Sequence, residues 1–205
     1  MLRQFVSKNS FHDTYNITLI REQCFTTRLA GRTLEAGRGS IVITHPGEVH
    51  ATLCDTGLGS SFFTFYISPD VMQSLNGEAV QFTNGVIDNT QLFAGLNSIA
   101  SLPEAEWLQS GNRLLAVLKE LVQSQSSVAD APSDQSRLFQ RFIEEEPAEK
   151  FSLDQVAGRF GLDKYKFLRL FKQQTGLTPN NYIILKRVEK AKQLLRHQAD
   201  LLSIA

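Results

Sequence analysis

Residues 151–176, FSLDQVAGRFGLDKYKFLRLFKQQTG, constrain the fold of this chain more tightly than any other stretch. Ser152 and Gln155 have the S-x-x-Q spacing of a capping box, which predicts a helix from there to Phe160. Gly161 supplies a left-handed residue to end it. Asp163 is placed to cap a second helix, which Gly176 ends. Two short helices joined by a Gly-containing turn of about three residues predict a helix-turn-helix. Counting from Leu153, such a unit needs a small residue fifth, Gly ninth, and apolar residues at places 4, 8, 10, 15 and 18. Ala157, Gly161, Val156, Phe160, Leu162, Phe167 and Leu170 fill every one of these places.

At about 100° per residue, the second helix separates into two faces. Phe167, Leu170, Phe171 and Gln174 fall together, and Tyr165, Leu168, Arg169 and Lys172 fall opposite. A helix that enters a major groove needs a buried face and an outer face of this kind. Arg169 suits a guanine edge, and Tyr165 and Leu168 suit thymine methyls. Lys164, Lys166 and Gln173 flank them, where phosphates would run. A solvated surface accounts equally well for Lys164, Lys166 and Lys172, and Leu168 also reads as a lone surface apolar residue.

The run S-L-x-x-V-A, then F-L-R-L-F-K-x-x-T-G-L-T-P-x-x-Y, then R-V-x-x-A-K-x-L-L resembles the start of the DNA-binding domain of the AraC family of bacterial transcription regulators. The resemblance covers about 70 residues from Gln135. It implies two helix-turn-helix units joined by a long helix, with Thr178 to Arg196 as the joining helix and Pro179 in its first turn. It also places Tyr165, Leu168 and Arg169 where the family reads bases. Ser203-Ile204-Ala205 then reads as the opening of the second unit, cut two residues past its N-cap. On that reading the chain is a truncated form, and residues 198–205 are expected to be poorly ordered or strained.

Charge supports a division of labour. The chain has 21 basic and 21 acidic residues. Ten Lys/Arg and four Asp/Glu lie in residues 151–205, which leaves eleven basic and seventeen acidic residues in 1–150. A basic tail on an acidic body fits a nucleic-acid-binding unit attached to something else, and a solvated helix face fits as well. No run of 18 apolar residues predicts a membrane span, and MLRQFVSKNSFHD lacks the apolar core of a signal peptide. Cys24 and Cys54 suggest neither a disulfide framework nor a metal motif. A reducing cytoplasm is the expected setting.

The N-terminal half is strand-rich. TYNITLI, SIVITH and SSFFTFYISP carry the β-branched and aromatic residues of strands. They are separated by stretches read as turns, LAGRTLEAGRGS, HPGE and CDTGLGS. Such spacing predicts a sandwich or small barrel. Residues 70–124 read as helical. A helix over 104–123 carries two heptad columns, Trp107–Leu114–Leu121 and Leu108–Leu115–Val122, for packing on its own domain and for a homodimer contact. SQSSVADAPSDQ reads as a linker, and RLFQRFIEEE as a helix ended by Pro147.

Gly39 to His50, GSIVITHPGEVH, resembles the second cupin motif, with His45 in place of its first Pro, and the P-G-E-x-H turn of AraC-type effector domains. The resemblance implies a cupin-like barrel with His50 starting a strand inside it. Cupin enzymes hold metal through an H-x-H pair, a following Glu and the later His. In SFHDTYN, Ser10 stands for the first His, His12 keeps the second, and Asn16 or Ile17 stands for the Glu. Two ligands fall short of the three a metal site normally needs, so no metal or cofactor is expected. Strand alternation puts Phe62, Thr64 and Tyr66 on one face. If that face points inward, they line an effector pocket with His12, His50 and Thr52.

The sequence therefore predicts an α+β two-domain chain. Residues 1–123 form a cupin-like β-barrel with helices on its C-terminal side, 124–134 a linker, and 135–205 an incomplete all-α helix-turn-helix domain. The function it implies is ligand-responsive binding of double-stranded promoter DNA, without catalysis. The alternatives are a metal-dependent cupin isomerase or dioxygenase, and a ligand-binding, dimerising fragment with impaired DNA binding.

Overall fold

A computed structural model describes residues 4–6, 10, 12–22, 25–29, 32–55, 61–127, 152–175 and 177–196. The chain forms two compact units, Met1–Asp130 and Ala131–Ala205. The predicted helix over RLFQRFIEEE, most of the predicted linker, and residues 198–205 lie outside the described residues.

The first unit begins with strands β1 Gln4–Val6, β2 Tyr15–Glu22, β3 Phe25–Leu29, β4 Arg32–Ala36, β5 Ile41–Thr44, β6 His50–Asp55 and β7 Ser61–Ile67. Helix α1 Pro69–Asn76, strands β8 Gln81–Phe82 and β9 Val86–Ile87, and helices α2 Thr90–Ala100, α3 Glu104–Trp107 and α4 Gly111–Gln125 follow, closed by β10 Ser126–Ser127. Two four-stranded antiparallel sheets result, in the orders β1-β6-β3-β4 and β7-β2-β5-β9. The expected barrel is thus hydrogen-bonded as two separate sheets among the described residues.

Side-chain alternation divides the second sheet between two environments. Tyr15, Ile17 and Leu19 of β2, Ile41 and Ile43 of β5, and Phe65 and Ile67 of β7 are buried in one core with Met72 of α1, Leu92, Leu96 and Ile99 of α2, and Leu118, Leu121 and Val122 of α4. Each fully buried Leu or Ile contributes about 1.5–3 kcal/mol. A smaller cluster of Ile20, Phe25, Ala36 and Val42 draws on both sheets.

Several expectations need correction. The stretch LAGRTLEAGRGS contains β4, which pairs with β3 from Phe25↔Ala36 to Leu29↔Arg32. Its cross-strand partner, rather than its Gly- and Arg-rich composition, makes it extended. Residues 70–124 also contain β8 and β9. The 104–123 helix is broken by a 3-10 turn at Leu108–Ser110. At the break the Trp107 ring lies 5.6 Å from Phe63 and 6.5 Å from Phe65, and its Nε1 donates to the Leu102 carbonyl at 3.0 Å. The heptad columns mostly serve their own domain: Leu121 and Val122 are buried and Leu114 packs against the core, whereas Leu115 is 40% exposed. The predicted linker starts too early, because α4 runs to Gln125 and Ser126 and Ser127 pair with Phe82 and Gln81.

The second unit comprises α5 Leu153–Arg159, α6 Lys164–Thr175 and α7 Pro179–Arg196. Gly161 has φ 64°, which an L side chain adopts only with strain. Leu162 N donates to Ala157 O and Gly161 N to Gly158 O, the paired bonds of a Schellman motif. Asp163 Oδ1 accepts from the backbone N–H groups of Tyr165 and Lys166, each at 2.9 Å. Ser152 occupies the N-cap of α5, but its side chain makes no capping bond, so the predicted capping box does not form. Phe167, Phe171 and Tyr182 form the core, with Phe160 stacked on Phe167 and Tyr182 edge-on to Phe171. Pro179 opens the long third helix, one residue after the Thr178 start that the resemblance implies, and the helix runs to Arg196.

Candidate functional site

The first unit encloses a cavity of about 170 Å³ between its two sheets. All six residues picked out by the sequence line it: His12, His50, Thr52, Phe62, Thr64 and Tyr66. Phe62 and Tyr66 project from β7 and are 51% and 58% exposed, so they stand at the mouth. His12 meets Tyr66 edge-on at 5.1 Å and lies 5.6 Å from His50.

The sequence reading missed the other walls. Asn16, Thr18 and Ile20 line the cavity from β2, Val42 and Thr44 from β5, Phe25 and Thr27 from β3, and Ser10 from the segment that bridges to His50. The alternation Asn16-Thr18-Ile20 and Phe25-Thr27 carried the signal, but pairing was needed to show which face was enclosed. Thr18 and Thr64 are cross-strand partners whose hydroxyls lie 3.0 Å apart. The Thr14 hydroxyl donates to Asn16 Oδ1 at 3.0 Å. Thr44, only 4% exposed, has a buried hydroxyl with no hydrogen-bond partner among the described residues.

The turn before β6 fixes the histidines. His50 Nδ1 lies 3.2 Å from the Glu48 carbonyl, which only accepts, so Nδ1 carries the proton and Nε2 is the ring's acceptor. Burial lowers the His50 pKa and outweighs the bond to Glu48. Burial alone would raise the Glu48 carboxyl. Hydrogen bonds from the His45 side chain and backbone, with the Arg32 charge at 3.0 Å, overcome it and hold the pKa at about 2. His45 Nε2 accepts the Phe82 N–H at 3.0 Å, so the residue that replaces the motif's Pro ties this turn to β8. No group of three or more His, Cys, Asp or Glu able to hold a metal occurs among the described residues.

In the second unit, α6 presents Tyr165 at 73% exposure, with Lys166, Arg169 and Lys172 also exposed. Leu168 is half-buried. Lys164 Nζ lies 3.9 Å from Asp154 Oδ1 and 5.4 Å from the Tyr165 ring centroid. The Gln173 side chain lies outside the described residues. Phe167 and Phe171 point the opposite way, into the core, as the helical period predicts.

A two-sheet domain with an enclosed pocket and a separate helix-turn-helix define a regulator that has a ligand-binding domain and a DNA-binding domain. The family model for the AraC-like ligand binding domain matches residues 1–144, and that for the bacterial regulatory helix-turn-helix proteins of the AraC family matches residues 143–183. The chain belongs to the AraC family of bacterial transcription regulators. It is 28% identical over 200 residues to the HTH-type transcriptional regulator YbfI of Bacillus subtilis, covering 91% of this chain and 73% of that one. It is 26% identical over 211 residues to the HTH-type transcriptional activator RhaS of Klebsiella pneumoniae, covering 92% and 74%. Apo ToxT from Vibrio cholerae shares the fold with a TM-score of 0.60 at 10% identity, over 94% of this chain and 78% of that one. No helix among the described residues is long and apolar enough to cross a membrane.

Proposed function

We propose that this chain is a cytoplasmic, effector-responsive regulator that binds promoter DNA through α6 and binds a small molecule between its sheets. The observation that carries this reading is the presence in one chain of an aromatic-rimmed, largely apolar cavity with a few polar groups and a helix-turn-helix whose outer face is exposed and basic. Arg169 and Tyr165 read bases, with Leu168 at the edge of that surface. Lys164, Lys166, Lys172 and Gln173 meet backbone phosphates. Effector binding shifts the population of DNA-competent states by its different affinity for them. Two copies associate through the outer face of α3 and α4, where Leu115 and Trp107 are exposed. Residues 1–123 serve as the effector and dimerisation domain, and 135–205 as the DNA-binding domain.

A gel shift of the full chain on the promoter region of its own gene tests this reading. Specific retention that Arg169→Ala weakens at least tenfold supports it. Retention no better than on random DNA would instead favour a ligand-binding, dimerising protein with impaired DNA binding.

A further inference from the structure

We propose that His45 couples the cavity to β10, the last described strand of the first unit. It is a positioning residue that keeps β10 paired with β8 while the Pro46–His50 turn holds its place. When a molecule bound at His12 or His50 shifts the turn, His45 lets β10 go. The proposal rests on the reading of this cavity as the effector site.

The turn touches the cavity at one end and β8 at the other. His12 and His50 line the cavity. The Gly47 N–H donates to the His12 carbonyl at 2.9 Å, and His50 Nδ1 donates to the Glu48 carbonyl at 3.2 Å. The Glu48 carboxylate accepts the His45 N–H at 3.1 Å and lies 3.5 Å from His45 Nδ1. The Glu48 N–H closes the turn on the His45 carbonyl at 3.1 Å. A network this dense is stiff and moves as one piece, so a shift at His12 or His50 reorients the His45 ring.

Strand β8 passes the position of that ring to β10. The Phe82 N–H donates to His45 Nε2 at 3.0 Å. This N–H and the Gln81 carbonyl belong to one planar trans peptide, so they point in opposite directions. Holding the N–H on His45 therefore aims the Gln81 carbonyl across β8, where Ser127 is its partner in register. The Phe82 side chain is buried and stays with the core. Strand β10 is two residues long, both Ser, and brings no apolar side chain to that core. A pairing so short is marginal and depends on how its one partner is oriented. Release of Ser126 and Ser127 lengthens the connection to the second unit by about 7 Å.

Amide exchange in the full chain, followed by NMR, tests the coupling. His45→Phe keeps a ring against Tyr15 and Phe82 but loses the acceptor, and should speed exchange at Phe82 and Ser127 about tenfold. His45→Gln keeps an acceptor and should stay within about threefold of the wild type. His50→Phe cuts the bond to Glu48 from the cavity side. It should speed the Ser127 amide about threefold or more, and add nothing further in the His45→Phe background. Unchanged Ser127 exchange in His45→Phe, equal acceleration by His45→Gln, or effects of His45→Phe and His50→Phe that simply add overturns the proposal. Should His45→Phe not fold, His50→Phe decides alone: faster exchange at Ser127 with the β3–β4 ladder unchanged supports the coupling, and any other result overturns it. The promoter gel shift separates this outcome from the reading beneath it. Coupling without promoter binding removes the regulator and leaves the His45 link, whereas promoter binding without coupling removes the link alone.

Discussion

At the scale of single residues, the two units rest on different kinds of local chemistry. Gly161 is required by its φ of 64°, and Gly161→Ala should destabilise the helix-turn-helix by about 1–2 kcal/mol in thermal melts. Phe171, fully buried between Phe167 and Tyr182, should cost about 3–5 kcal/mol when cut to Ala. Glu48 and His50 give the first unit its acid sensitivity. The Glu48 pKa falls from 4.5 to about 2 on folding, so its contribution is present above 4.5 and is lost as pH falls towards 2. The His50 pKa is also lowered. The unfolded state therefore binds a proton more readily, and stability declines as pH drops below the ordinary histidine value of 6.5. Chemical denaturation at stepped pH should show both windows, with Glu48→Gln removing the lower one and His50→Gln the upper.

At the scale of elements, the helix-turn-helix was legible because its signals are local. A left-handed Gly, an Asp cap and a 3.6-residue apolar period act within a few residues, so Val156, Ala157, Phe167 and Phe171 were placed correctly. The capping box failed because Ser152 was read from type and spacing alone, whereas its bond depends on side-chain orientation. In the first unit, alternation locates Phe62, Thr64 and Tyr66, but Phe25 and Thr27 reach the same cavity from β3, a strand far off in sequence. Trp107 shows a related failure: a heptad count carries no information about the Phe63 and Phe65 rings on which it packs, or about the 3-10 turn that follows it. The association surface we propose on α3 and α4 is testable at this scale. Leu115→Glu changes an exposed side chain, so the melting temperature should hold while sedimentation shifts towards monomer. An unchanged sedimentation profile would exclude that surface.

At the scale of the whole molecule, charge and fold divide together. The acidic first unit holds the cavity, and the basic residues of α6 and α7 include Lys166, Arg169, Lys172, Arg187, Lys190 and Lys192 on exposed surface. With the three proposed lysine–phosphate contacts, raising salt from 50 to 200 mM should weaken DNA binding about 40-fold. The short β8–β10 ladder has a reach beyond its length: Ser126 and Ser127 pair with Phe82 and Gln81, the Phe82 amide donates to His45 Nε2, and the His45 amide donates to Glu48, so one run of hydrogen bonds joins the last described residues of the first unit to the turn that carries His50.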